Sequence, residues 1–240
     1  MIKKIHFIWL GSKLPAKNRE IVAEWEELLP DFEFFIWNEE NTKKYDCLFL
    51  RQCLRKKAYA FAADYLRLKV VNDSGGFYLD TDMKLLKSLN DLEVGSFMIG
   101  EQEENIPNWG IFYSEKNSEI LNKCLSKYDY LCFDQFKPPV IPYFLKEIIY
   151  QAENIKIYPP VVFYPMPQGV DVSLYKEYIK VNTVGVHLWD FSWKKLKAER
   201  LKSTEVIYRL IQLIKDVFYF DYPLHYFHIN TIRILRILKR

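Results

Sequence analysis

The feature that most constrains this chain is the run from residue 57 to residue 82, KAYAFAADYLRLKVVNDSGGFYLDTD. Residues 57–72 read as a helix that is apolar nearly all round, and such a helix belongs where other elements cover it. Gly75-Gly76 turns the chain, and residues 77–79 follow as a short apolar strand. Two carboxylates, Asp80 and Asp82, stand at the strand's end. A covered helix feeding a covered strand calls for a layered α/β body with a sizeable core.

The rest of the chain fits that body. Residues 5–10 are a compact apolar run closed by Gly11, as in a buried parallel strand. Residues 17–29 place Ile21, Trp25, Leu28 and Leu29 at helical spacing before Pro30, and residues 32–37 read as a second strand. Strand, helix, strand favours a parallel pairing. Further short strands are expected at 97–99 and 111–113, a short strand or loop at 184–189, and a helix over 118–131. Residues 138–167 hold seven of the eleven prolines and read as extended loop. Helices are expected over 204–220 and 228–240, separated by Pro223. With 240 residues, half of them hydrophobic, the chain is long enough for one large domain and a small appendage.

On a strand, residues two apart share a face about 7 Å from one another. Asp80 and Asp82 could then approach one cation together, and hard oxygen ligands suit Mg²⁺ or Mn²⁺ held with substrate phosphates. The plain alternative is a solvated turn after a strand. An EF-hand is excluded, because Lys84 and Leu85 stand where a ligand and the turn glycine are required. A phosphohydrolase or phosphotransferase of the haloacid dehalogenase kind, with Asp80 as nucleophile, is a rival; it leaves Asp64 and Arg67 without a role. Those two share a helix stripe with Ala60, Ala63, Val70 and Val71, which should face inward. They read either as a structural ion pair or as a polar lining in which Arg67 reaches a phosphate or sugar and Asp64 accepts from sugar hydroxyls.

Several classes are set aside. A net charge of only +3 does not suggest nucleic acid as the main partner. Four cysteines without a CxxC pair or a histidine cluster argue against a zinc site or a disulfide framework, so a reducing compartment is the default. The N-terminal apolar run is too short for a signal peptide, and no stretch of about 18 uncharged apolar residues appears. The expected location is cytoplasmic, or peripheral on the inner face of the cell membrane.

KKIHFIWLG at the N-terminus, the AxxxDxxR pattern ending in Arg67, and GGFYLDTD together resemble the family 32 glycosyltransferases. That family includes bacterial capsule and lipopolysaccharide enzymes and initiating mannosyltransferases. The resemblance is strong over roughly residues 1–90 and thin from 90 to 180. It implies a GT-A fold, a Rossmann-like mixed sheet flanked by helices, here over residues 1–203 with a helical C-terminal extension over 204–240. It also implies Mn²⁺ or Mg²⁺ as cofactor, a nucleotide-sugar donor, and retention at the anomeric carbon. Trp9 matches the strand-end tryptophan stacked on the base, Asp64 and Arg67 the pair holding the donor sugar, and Tyr78 a tyrosine beside the nucleotide. Asp80 matches the aspartate facing ribose and metal, and Asp82 the direct metal ligand. HLWDFSW fits the family's HxxxxSW, which makes His187 a candidate third ligand or phosphate contact and sets Trp193 over the diphosphate.

The expected reaction is a front-face displacement that moves a hexose, UDP-linked by preference, to a glycan or lipid-linked glycan acceptor. No carboxylate is assigned as a covalent nucleophile. Glu101, Glu103 and Glu104 read as a solvated acidic loop, and Asn105 and Asn108 stay open as acceptor-side contacts. A non-catalytic nucleotide-sugar-binding protein is the remaining alternative. Residues 205–240 are dense in aromatic and aliphatic side chains and end in Arg233, Arg236, Lys239 and Arg240. They read either as an amphipathic segment on an anionic membrane or as helices packed on the core or a second subunit.

Overall fold

The apolar runs at residues 5–8 and 77–79 become strands covered on both faces, and the run at 33–37 becomes an edge strand. The computed structural model describes residues 1–135, 137–190 and 203–238. The first half gives β1 (Lys4–Ile8), α1 (Ala16–Leu28), β2 (Glu33–Trp37), α2 (Leu48–Arg55), α3 (Tyr59–Ser74), β3 (Gly76–Leu79), β4 (Met83–Leu85), β5 (Phe97–Glu103) and β6 (Ile106–Ser114). Then come α4 (Glu119–Ser126), α5 (Ile141–Phe144), α6 (Lys146–Tyr150), β7 (Lys156–Tyr158), α7 (Pro160–Phe163), a 3₁₀ turn (Val172–Tyr178) and β8 (Gly185–His187). The chain closes with α8 (Ser203–Tyr219) and α9 (Leu224–Leu238).

Six strands form a mixed sheet in the order β2-β1-β3-β6-β5-β7. β1 runs parallel to β2 and β3, whereas β6 is antiparallel to both β3 and β5. Alternate strand residues feed opposite sides of the sheet. Phe77 and Leu79 join Ile5, Phe7 and Trp25 on one side, and Tyr78 joins Leu66, Trp109 and Phe112 on the other. Both faces are covered, so these strands show no polar alternation. α3 packs against α2, α4 and β1, and Phe61, Ala62, Leu66, Leu68, Val70 and Val71 are all buried.

The glycine pair does more than end a helix. The Gly75 N–H donates to the Val71 carbonyl at 2.7 Å. A Cβ on Gly76, whose φ is +110°, would stand 2.6 Å from the Lys4 carbonyl oxygen, so only glycine lets β3 start beside β1. His6 on β1 locks the same corner: Nε2 donates to the Gly75 carbonyl at 3.0 Å and Nδ1 accepts from Trp37 Nε1 at 3.1 Å. Burial pushes this imidazole down to about 4, against the pull of the Gly75 carbonyl.

Three expectations are corrected. Residues 138–167 are not an extended loop, because α5, α6, β7 and α7 lie within them; Pro142 and Pro160 sit in the first turns of α5 and α7, where a missing N–H leaves no ladder bond unmade. The helix expected over 118–131 is only Glu119–Ser126. Asp80 and Asp82 do not lie on a strand: β3 ends at Leu79, and the Met83 N–H bonds the Asp80 carbonyl at 2.9 Å, closing a tight turn.

The C-terminal helices dock on the body through α2 and residues 133–134. Lys56 Nζ meets Asp216 at 2.6 Å, Arg55 meets Asp221 at 3.0 Å, and Tyr222 donates to the Phe133 carbonyl at 2.6 Å. Val206, Leu213, Tyr222, Tyr226 and Ile234 form their own small core. Among the described residues, no helix is long and apolar enough to cross a membrane.

Candidate active site

The turn after β3 is held on three sides. From below, the Asp80 N–H donates to the Gly110 carbonyl of β6 at 2.7 Å. From α1, buried Asn18 donates to the Thr81 carbonyl and hydroxyl, both at 3.2 Å, and Trp25 Nε1 donates to the Met83 carbonyl at 2.7 Å. From the far end of the chain, β8 pairs antiparallel with β4, setting His187 opposite Met83. Beyond that pairing, the Leu188 N–H bonds the Asp82 carbonyl at 3.0 Å and the Asp190 N–H bonds Asp82 Oδ2 at 2.7 Å. A residue more than a hundred positions away thus enters the site by strand pairing.

Asp80, Asp82 and His187 each offer a ligand atom, all within 4.8 Å of one another; no other such group of three occurs among the described residues. His187 Nε2 lies 3.6 Å from Asp80 Oδ2 and 3.4 Å from Asp82 Oδ1. Two carboxylates and an imidazole suit Mn²⁺, and the oxygens alone suit Mg²⁺. The Trp189 N–H reaches His187 Nδ1 at 3.3 Å, which assigns the proton of a neutral ring to Nε2, facing the carboxylates. Cation binding through Nε2 requires that proton to move, whereas the carboxylates are ready as they stand.

The electrostatics separate the two aspartates. Burial alone would raise Asp80, but Arg67, His187 and the Tyr78 hydroxyl outweigh it and hold the carboxyl down at about 2. Asp82 is pushed up by burial and by Asp80's charge, against His187 and the Asp190 N–H. His187 is raised despite its burial, because both carboxylates favour the imidazolium. Asp80 accepts from the Tyr78 hydroxyl at 2.9 Å and from Arg67 at 3.3 Å, so both of its oxygens are engaged.

Arg67 is buried and heavily used. It pairs with Asp64 at 3.0 Å, donates to the Trp109 carbonyl at 2.9 Å, and lies 4.7 Å over the Tyr78 ring. Burial pushes the Asp64 carboxyl up to about 7 even beside this guanidinium. Asp64, Arg67, Tyr78, Asp80, Asp82 and His187 therefore form one connected network. Trp9 sits half-buried past the end of β1, its N–H on the Trp37 carbonyl at 2.9 Å and its indole on Ser12 at 3.2 Å. Trp193 lies outside the described residues.

Glu101 is occupied elsewhere, accepting from the Tyr150 hydroxyl and, at 3.2 Å, from the Asn105 N–H. Asn105, with Lys146, Glu147, Tyr150 and Gln151, lines an open hollow of about 440 Å³ that shares no residue with the carboxylate cluster. Asn108 belongs to the site's frame: it accepts from the Gly110 N–H at 2.8 Å and donates to Gln102 at 2.7 Å.

Three residues of the site carry no signal that sequence reasoning used. Asn18 is one polar residue on an amphipathic helix. Trp189, inside HLWDFSW, takes φ +54°, an uncommon backbone for tryptophan; its indole donates to the Met166 carbonyl at 2.8 Å and its ring lies 4.4 Å from His187. Gly110 makes room for the cluster, since a Cβ there would stand 3.0 Å from His187 Cδ2 and 3.1 Å from Asp80 Oδ2.

Residues 15–106, which include the carboxylate turn, match the family model of the glycosyltransferase sugar-binding region containing DXD motif. The match covers under half of the chain, and Asp80-Thr81-Asp82 supplies its DXD triplet. The chain is also similar in part to known proteins. Subversion of eukaryotic traffic protein A of Legionella pneumophila subsp. pneumophila (strain Philadelphia 1) is 32% identical over 34% of this chain and 17% of that protein. The chain thus spans under a fifth of that relative's length. Among solved structures, PaToxG glycosyltransferase is similar with a TM-score of 0.52 at 23% identity, over 62% of this chain and 68% of that one. A glycosyltransferase involved in the glycosylation of the major capsid of PBCV-1 gives 0.42 at 15% identity, over 77% of this chain and 93% of that one. The DXD region thus sits in a GT-A fold, a mixed sheet with helices on both faces and the DXD turn at the end of its third strand.

Proposed function

We propose that the chain is a metal-dependent, retaining glycosyltransferase that moves a hexose from a nucleotide sugar, UDP-linked by preference, to a glycan acceptor. The observation that carries this reading is the Asp80–Asp82–His187 cluster at the DXD turn, with all three ligand atoms within 4.8 Å. The acceptor is a surface glycan such as capsular polysaccharide or lipopolysaccharide, in keeping with the family resemblance, and the C-terminal helices give peripheral contact with the cell membrane. Action on eukaryotic traffic is a second reading, favoured by the likeness to a protein named for its subversion.

Asp80 and Asp82, with His187 beside them, would hold Mn²⁺ or Mg²⁺, which would supply charge neutralisation to a departing nucleoside diphosphate. The chain's own residues set the geometry. Tyr78 and Arg67 fix both oxygens of Asp80, and the Asp190 N–H fixes one oxygen of Asp82 and leaves the other toward the cluster. Asp64, carried on the same guanidinium, is the group for a sugar hydroxyl, and Trp9 the surface for the base. The acceptor hydroxyl approaches the anomeric carbon on the face from which the diphosphate leaves, forming the new C–O bond as the old one breaks. Its proton leaves on the departing phosphate oxygen. Catalysis by positioning and charge requires no protein nucleophile. Asp80, with both oxygens engaged, is poorly placed for the phosphotransferase alternative.

The test is release of nucleoside diphosphate from a panel of UDP- and GDP-hexoses with Mn²⁺. Asp82→Asn should lower turnover by at least about a hundredfold. Unchanged turnover would remove the metal-dependent mechanism. Nucleotide-dependent thermal stabilisation without any turnover would point to a binding protein.

A further inference from the structure

α8 is apolar on two sides, and only one of them is covered. Its inner side carries buried Val206 and Leu213, with Asp216 paired to Lys56. Its outer side repeats Ile207, Ile211, Ile214 and Phe218 at i, i+4, i+7 and i+11, exposed by 62%, 45%, 47% and 76%. Tyr208 and Tyr219 flank that stripe, and Leu224, Ile229 and Ile232 are exposed on α9. The exposed stripe along one face of α8, an apolar patch of this kind, marks a docking surface.

Charge says what docks. Residues 203–240 hold six cations (Arg209, Lys215, Arg233, Arg236, Lys239, Arg240) and three acids (Glu205, Asp216, Asp221), a net of +3. The whole chain is also +3, with 34 cations and 31 acids, so residues 1–202 hold 28 of each and no net charge. Asp216 pairs with Lys56 inside, Asp221 with Arg55 at the surface, and Arg233 with Asp134 of the body, so these pairs leave the segment's net charge unchanged. A second copy would bring a like charge to the same face.

We propose that the outer face of α8 and α9 docks on an anionic lipid bilayer, with α8 lying in the plane of the interface. The Ile207–Ile211–Ile214–Phe218 stripe enters below the headgroups, Tyr208 and Tyr219 sit among them, and Lys215 meets lipid phosphate. α8, 17 residues and about 25 Å long, lies on the membrane and does not cross it. The Lys56–Asp216 pair and the Tyr222 bond to Phe133 fix this face to the catalytic body, so docking orients the DXD site toward a lipid-linked acceptor. The inference rests on the membrane reading of these helices, not on the transfer reaction.

The test is co-sedimentation of the full chain with vesicles of phosphatidylcholine alone and of phosphatidylcholine with phosphatidylglycerol. Anionic vesicles should bind at least about tenfold more tightly, and added salt should erode the difference. The double variant Ile211→Gln/Phe218→Gln should keep its unfolding midpoint and lose about tenfold or more of the binding; Lys215→Glu should lose less. Three outcomes would overturn the proposal: no binding to anionic vesicles, equal binding to both kinds, or undiminished binding by the double variant. A dimer by light scattering that the double variant abolishes would overturn it in favour of a second copy. Vesicle binding by a chain that releases no nucleotide would leave the docking intact and count against the transferase instead.

Discussion

α3 is apolar on nearly every side and α8 on two, and the fold treats these apolar faces in opposite ways. α3 is enclosed by the sheet, α2 and α4, and its charged pair is absorbed into the network behind Asp80. α8 is enclosed on one side only, and its charged residue on that side, Asp216, is matched by Lys56. In α3, burial turns polar side chains into a positioning device; in α8, the uncovered side chains remain available to an outside partner. An apolar helix face therefore announces either a core or a contact, and the cover decides which.

The contrast breaks most visibly at Arg67. Arg67→Ala should lower the unfolding free energy by about 3–5 kcal/mol, because it strands two buried carboxylates; urea denaturation measures it, and an effect under about 1 kcal/mol would show that α3 is not enclosed as described. Leu66→Ala, with no exposed surface to start from, should cost about 2–5 kcal/mol.

The His6 corner beside α3 sharpens the comparison by pH. Its folded-state value of about 4 lies below the unfolded 6.5, so its contribution is complete above pH 6.5 and is lost as pH falls toward 4. The size is about 3 kcal/mol. Asp64, raised to about 7, acts in the opposite sense, its contribution present at low pH and lost as pH rises through 7. Unfolding free energies of the wild type and His6→Gln at pH 7 and pH 4 separate the two, with the variant losing about 3 kcal/mol less on acidification. Gly110→Ala should cost about 1–3 kcal/mol and weaken Mn²⁺ binding, read by paramagnetic resonance, because its methyl displaces Asp80 and His187. Smallest of all, Phe218→Ala on the open face of α8 should stay within about 0.5 kcal/mol.

The same contrast explains what was legible in the sequence. β1, β3 and α3 were readable because strands and helices covered on all sides leave uninterrupted apolar runs; β2, at the sheet edge with Glu33 and Ile36 exposed, was readable from its aromatic and aliphatic run alone. The DXD turn was readable as a motif, and the histidine of HLWDFSW through the family resemblance. The geometry was less so: Asp80 and Asp82 meet through a tight turn rather than strand alternation. Short elements escaped for local reasons. α2 is eight residues of mixed polarity, and the prolines of residues 138–167 start helices instead of breaking them. Asn18 acts through a contact 63 positions away, Trp189 through one 23 positions away, and Gly110 through a missing side chain, none of which a local pattern records.

Calorimetric titration of the full chain with UDP, with and without Mn²⁺ and in wild type and Asp82→Asn, addresses the cluster most directly. Affinity should rise at least about tenfold with Mn²⁺ in the wild type and show no such rise in Asp82→Asn. Equal affinity in all four titrations would mean that the two carboxylates and the imidazole gather no cation for a nucleotide.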